Sequence, residues 1–429
     1  MEHVFFKPPL ILLLLLFVFD IPKAQAQKET PLYDFCSQQN CPDGSIPRGG
    51  LVADKNGHLY GTTSGGGTYG YGTVFELKPS GSGWAEAVLY NFCAQSKCAD
   101  GSNPFAGLLL YGGNFYGTTQ QGGAHGYGTV FELTHSGSAW SETVLYSFCA
   151  MFECADGGYP SASLTFDKKG NLYGTALLGG VYANGVVFEL TNSGSGWNET
   201  VLYSFCTASG CADGSWPEAG LTFDQMGNLY STAWQGGNLD CQDPAFAGCG
   251  VVFQLSPPGN GGGPWTENVL YSFCSATNCA DGHNPSAGLI FDAKGNLYGA
   301  TFDGGDTSQG CGGSRYGCGV IFELTPPPGG SGPWTETVLH TFTGGDGAGP
   351  AARLAFDSKG HLYGATSSTV FRLTPSRRGW HELVLGNFNE NIYIPGWLLL
   401  GRNALYGETE EGGSSNCSFG CGTVFEISP

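Results

Sequence analysis

The residues best equipped for chemistry in this chain are carboxylates that recur as pairs. Glu76 with Glu86, Glu132 with Glu142, Glu189 with Glu199 and Glu323 with Glu336 each stand on two successive apolar, β-branched segments. Two carboxyl groups flanking a sugar bond are the machinery of glycoside hydrolysis. A catalytic pair is singular, however, and this one returns in segment after segment, so the pairs read as architecture. One segment carries Arg372 with Glu382 instead. Directly opposed across a hairpin, those two would form a salt bridge, whereas the other pairs would oppose like charges at a cost in stability. An offset register, separate donors for each carboxyl, or a bridging cation would each remove that cost, and the sequence leaves the three open.

Asp-Gly steps at Asp43, Asp100, Asp156, Asp213, Asp281 and Asp346 invite a calcium reading. They lack the D-x-D-x-D-G ladder that supplies several oxygens from one loop, so tight turns account for them. Calcium is the ion these steps suggest, and no organic cofactor is expected. Among the histidines, His58 and His361 fill a turn slot held elsewhere by Asn, His340 replaces a strand Tyr, and His381 follows Trp380. His125 and His283 lie in loops without a fixed acidic or nucleophilic neighbour. No H-E-x-x-H, G-x-S-x-G or phosphate-cradling loop occurs, so no catalytic residue is assigned.

The elements that carry these residues repeat. One unit reads P-x-A-G-L-x-F-D, G-N-L-Y-G-T, G-T-V-F-E-L and W-x-E-x-V-L-Y-x-F-C, four alternating segments bounded by turn formers, which is the pattern of four strands. With 72 Gly, 23 Pro and 13% aromatic residues, the composition also favours an all-β chain. The second-strand tyrosine recurs seven times, at Tyr60, Tyr116, Tyr173, Tyr230, Tyr298, Tyr363 and Tyr406. Fourth strands led by Trp84, Trp140, Trp197, Trp265, Trp334 and Trp380 number six, and the seventh is missing after the last third strand. Residues 31–36, Pro-Leu-Tyr-Asp-Phe-Cys, match the end of a fourth strand. The expected fold is therefore a seven-bladed β-propeller of four-stranded antiparallel blades, closed by the N-terminal strand completing the last blade. The repeats fall near 48–92, 105–148, 161–205, 218–273, 286–342, 351–388 and 396–429, the last completed by 31–36.

The tandem Y-G-T-T, G-G and G-T-V-F-E-L pattern resembles the GloVer repeat of choice-of-anchor exported proteins, over nearly all of residues 31–429. That resemblance implies an exported, propeller-like array and assigns no biochemical role. Members of the family often carry a C-terminal sorting anchor, whereas this chain ends within its last repeat.

In such a blade the connections after the second and fourth strands emerge on one face, and the cysteines cluster there. Five junctions carry C-x4-C: Cys36/Cys41, Cys93/Cys98, Cys149/Cys154, Cys206/Cys211 and Cys274/Cys279. Three loops between second and third strands carry Cys241/Cys249, Cys311/Cys318 and Cys417/Cys421. The junctions near Thr343 and Asn389 lack both members, and loss by pairs argues for bonding within pairs. Eight local disulfides are the simplest use of the 16 cysteines in an exported chain, with zinc as the alternative.

The same face gathers variable aromatic loops, with Tyr69, Tyr71, Tyr127, Tyr182, Trp234, Phe246, Tyr316 and Phe419. Such rings suit sugars or extended peptides, or else they pack on neighbouring loops. Near the start of the first strands, Arg48 and Glu218 break the pattern set by Phe105, Ser161, Ser286, Ala351 and Gly396. If they point into the channel they frame a polar ligand; otherwise they are surface charges.

Lys7, the apolar run to Phe19 and Ala24-Gln25-Ala26 read as a signal peptide over residues 1–26, leaving 27–429 as the mature, secreted domain. The segment contains Glu2, Lys7, Asp20 and Lys23, two charges of each sign, so the net charge of −19 survives its removal. A surface this acidic excludes nucleic acid as a natural partner. The leading expectation is an exported, monomeric, non-enzymatic binding or scaffold module that engages an extracellular glycan, polypeptide or envelope component through the disulfide-braced face. An exported hydrolase or lyase with its site in the central channel is the alternative.

Overall fold

The computed structural model describes residues 28–428 apart from 138, 240–247, 260–261, 306–310, 312–315, 331, 389–393 and 395. The signal-peptide reading of residues 1–26 lies outside the described residues. No helix among the described residues is long and apolar enough to cross a membrane.

Seven antiparallel sheets of four-stranded design form a ring of blades, and in two of them the innermost strand is split in two. The first blade runs from Ser45–Pro47 and Val52–Ala53 through Leu59–Gly65 and Thr73–Ser80 to Gly83–Asn91. In the seventh, Leu399–Leu400, Leu405–Thr409 and Thr423–Ser428 are joined by Lys28–Asp34 from the other end of the chain. That strand pairs antiparallel with Thr423–Ser428, setting Glu29 opposite Ile427 and Asp34 opposite Thr423. Closure by the N-terminal strand is thus present as expected, and it leaves no blade with an unpaired third strand.

Two side-chain rules explain why the repeat closes on itself. In the Y-G-T motif the glycine lies over the phenylalanine of the next strand: a Cβ on Gly117 would sit 2.6 Å from Phe131 Cζ, and one on Gly364 2.5 Å from Phe371 Cζ. Each of those phenylalanines also meets one from the end of the preceding blade. The edge-on pairs Phe92–Phe131, Phe148–Phe188, Phe205–Phe253, Phe273–Phe322 and Phe342–Phe371 have centroids 5.0 to 5.2 Å apart. Phe388–Phe425 at 4.7 Å and Phe35–Phe75 at 4.9 Å complete the belt. Such a pair is worth about 0.5–1.5 kcal/mol beyond its buried area.

A β-bulge interrupts every third-to-fourth strand pairing with described register, as between Val74 and Phe75 in the first blade. The extra residue re-aims the remainder of the strand. It leaves Glu76 opposite Ala87 and Glu86 opposite Leu77, so the recurrent glutamates are offset by one rather than face to face. Arg372 and Glu382 are offset likewise, with Leu383 and Leu373 as their respective partners. The like-charge problem therefore does not arise within a hairpin.

Candidate functional site

The two glutamates of each pair serve different neighbours. Those on the third strands accept from their own blade: Glu132 from Tyr116 Oη at 2.6 Å and Asn114 Nδ2 at 2.7 Å, Glu189 from Tyr173 at 2.6 Å. Those on the fourth strands meet the Asp-Gly aspartate of the preceding junction. Asp100 accepts Tyr90 Oη at 2.8 Å and the amides of Ala94 and Gln95 at 2.9 and 3.1 Å, which folds the C-x4-C loop over it. Burial first, and Asp100 second, push the neighbouring Glu142 up to about 8. The same arrangement lifts Glu199 and Glu267 to about 8, and Glu86, Glu336 and Glu382 to about 7. Burial between blades thus disfavours the charged form of each of these carboxyls, as expected of groups that belong to the architecture.

Among the described residues seven disulfides lock the rim: the five C-x4-C pairs at Cys36–Cys41, Cys93–Cys98, Cys149–Cys154, Cys206–Cys211 and Cys274–Cys279, together with Cys311–Cys318 and Cys417–Cys421. Cys249 is disulfide-bonded, while its expected partner Cys241 lies outside the described residues. The sulfurs of Cys36, Cys41, Cys417 and Cys421 converge, but as two disulfides and not as a zinc knuckle. Each short loop contributes roughly 2 kcal/mol in the chain-entropy account.

At the axis of the ring lies a cavity of about 820 Å³. Its wall is built where the first strand of each blade leaves its ladder, and it mixes glycine, alanine and serine with leucines. Arg48 and Glu218 both line it, so both point to the channel. They are not equivalent. Arg48 is ion-paired with Glu410 and lies 4.4 Å over the Phe105 ring, so its charge is already answered. Burial raises the Glu410 carboxyl, and Arg48 pulls it back. Glu218 has no ion-pair partner among the described residues, and burial in the channel wall pushes it up to about 7.

Two further residues of the lining, Arg353 and Trp397, were not singled out in the sequence. Both stand immediately before the leucine of the first strand, where the other blades have Gly50, Gly107, Ser163, Gly220 and Gly288. Arg353 runs its stem along Gly288, where an added Cβ would lie 3.7 Å from its Cδ. Its guanidinium is open to channel water and has no ion-pair partner among the described residues, although the surrounding wall thins its hydration enough to lower its pKa. The Trp397 indole lies against Gly50 and Gly107 and donates from Nε1 to Leu51 O at 3.0 Å.

Beneath this wall, Glu408 is fully buried and pushed up to about 8. It stands where Thr62, Thr118, Thr175 and Thr232 donate to an alanine carbonyl of the next blade, and it instead accepts the Gly50 amide at 2.9 Å.

The aromatic candidates do not join this lining. Tyr69, Tyr127 and Tyr182 stand exposed at the rim of the first three blades, Tyr127 edge-on to Tyr159. Trp234 is half-buried 5.7 Å from Phe302, and Tyr316 lies edge-on to His283. Phe246 lies outside the described residues.

Fold and channel together define a disulfide-braced, seven-bladed propeller with a charged axial cavity. The model of the Gloeobacter/Verrucomicrobia repeat matches residues 17–245 and 141–368, and the chain belongs to that family. No curated protein matches it in sequence. Among solved structures it is similar to virginiamycin B lyase from Staphylococcus aureus, with a TM-score of 0.55 at 13% identity over 94% of this chain and 99% of that one. A streptogramin B lyase gives a TM-score of 0.54 at 14% identity, covering 94% and 97%. YCF48 bound to D1 peptide gives 0.51 at 11% identity, again covering 94% and 97%. At such identities the likeness is one of fold alone.

Proposed function

We propose that this protein is an exported binding module whose ligand, a glycan or an extended polypeptide, enters the central channel from the disulfide-braced face. The observation that carries the reading is the placement of the repeat's exceptions. Arg48, Glu218, Arg353 and Trp397 come from four different blades, differ from their counterparts, and line one cavity. A cavity of about 820 Å³ lies within the usual range for small-ligand sites, and a wall of small and aliphatic residues with a few convergent polar groups suits one. The exposed tyrosines of the first three blades extend the surface outward for a longer chain. YCF48 holds a peptide on the same fold, an analogy of scaffold and not of residues.

Glycan and peptide arrays probed with the wild type, Arg353→Ala, Glu218→Gln and Tyr69→Ala/Tyr182→Ala test this. Loss of the captured ligand in the channel variants supports the site, and unchanged binding in both refutes it. One observation favours a second reading. Glu218, pushed up to about 7 and open to the channel, has the proton affinity of a general acid or base at neutral pH. Turnover of an array-positive ligand that vanishes in Glu218→Gln would make the protein a hydrolase or lyase; capture without turnover would keep it a binding module.

A further inference from the structure

The junction between the fifth and sixth blades departs from the others in a way the channel does not explain. Five junctions bring together a strand tyrosine, the Asp-Gly aspartate and a fourth-strand glutamate, as Tyr90, Asp100 and Glu142 do. Here the tyrosine is His340, on the strand Thr335–Thr341; Asp346 lies in the turn, and Glu382 is on the strand Gly379–Asn387. The C-x4-C pair is absent at this junction as well, with Thr343 in its place. A phenol fills the site with a proton directed at the aspartate, whereas an imidazole can present a lone pair.

We propose that His340, Asp346 and Glu382 bind a divalent first-row transition ion of the zinc type. One ligand atom from each lies within 4.8 Å of the other two. His340 Nε2 and Asp346 Oδ2 are 3.1 Å apart, near the ~3.3 Å edge of a tetrahedron with metal bonds of about 2.0–2.1 Å. Asp346 Oδ1 is committed to the Thr343 amide at 2.8 Å and hydroxyl at 2.9 Å, which fixes the carboxylate with Oδ2 toward the cluster. Glu382 Oε1 is buried and has no hydrogen-bond partner. One imidazole with two carboxylates suits zinc, cobalt or manganese better than calcium, which takes oxygen alone. The side chains of His340 and Asp346 are 18% and 21% exposed, leaving room for water to complete the shell. The acidic surface raises the local concentration of any cation. An ion held here would tie two blades together where the disulfide-braced loop is missing.

The test uses the full secreted chain, stripped with chelator and titrated with Zn2+ by calorimetry and with Co2+ by visible absorption, at moderate salt. One saturable site is expected, with Co2+ ligand-field bands and a thermal midpoint that rises on adding Zn2+. His340→Tyr restores the residue that five other junctions fold with, so it should fold and lose the site. Removing a direct ligand should weaken binding by more than the ~10–100-fold typical of outer-shell changes, and Glu382→Gln should weaken it too. Absence of saturable binding in the wild type, or equal binding by His340→Tyr, overturns the proposal.

Discussion

Replacing Glu142 by Gln should stabilise the protein in alkali and leave it nearly unchanged in acid, the reverse of what losing a useful charge would do. Glu142 lies between blades with Asp100 beside it, and its carboxyl is pushed up to about 8. The folded state therefore holds this proton more tightly than the open chain, where a carboxyl titrates near 4.5. Below about pH 4.5 both states are protonated and the stabilisation is complete. It is lost progressively as pH rises through about 8, because the unfolded chain has released the proton and the folded chain must follow. The full difference would correspond to ~5 kcal/mol, and solvent screening of a part-buried group reduces it to on the order of 1–2 kcal/mol. Glutamine keeps the shape of the neutral acid at every pH. Guanidinium unfolding with disulfides intact should give equal midpoints for the two proteins at pH 5, and a higher midpoint for Glu142→Gln at pH 9. Equal destabilisation at both pH values, or a larger loss at pH 9, would refute an inter-blade protonated carboxyl.

Three further outcomes test the ring. Phe35→Ala empties a fully buried position that joins the N-terminal strand to Phe75, and should cost about 3–5 kcal/mol in denaturant unfolding, whereas a loss below about 1 kcal/mol would mean that closure does not depend on the belt. Gly117→Ala places a methyl 2.6 Å from Phe131 Cζ and should cost about 1–3 kcal/mol, while Gly112→Ala, with nothing within 4 Å, tests the left-handed backbone alone at φ 61°. Alkylation under non-reducing conditions and then mass spectrometry should label no cysteine; several labelled thiols would contradict the rim.

Much of the architecture is legible because each blade is local: turn formers, alternation and the seven-fold recurrence lie within about 60 residues of chain. The closing strand is legible too, since Pro31 to Cys36 carry the ending of the fourth-strand motif. The contacts that join blades are harder to read. Glu142 looks paired with Glu132 along the chain, yet its partner is Asp100, brought close by packing between neighbouring sheets and by the bulge that shifts the register. The channel is half legible for the same reason. Arg48 and Glu218 stand out as exceptions at one repeat position; Arg353 and Trp397 are exceptions at another, and the same comparison carried down the strand finds them. That Glu410 answers Arg48 is not legible, because 362 residues separate them and only ring closure makes them neighbours.

The position of a bound ligand tests the channel most directly. A crystal structure of the protein with the tightest-binding glycan or peptide from the arrays should show density inside the axial cavity, within hydrogen-bond reach of Arg353 or Glu218. Density confined to the outer rim at Tyr69, Tyr127 or Tyr182, with the channel holding only water, would contradict it.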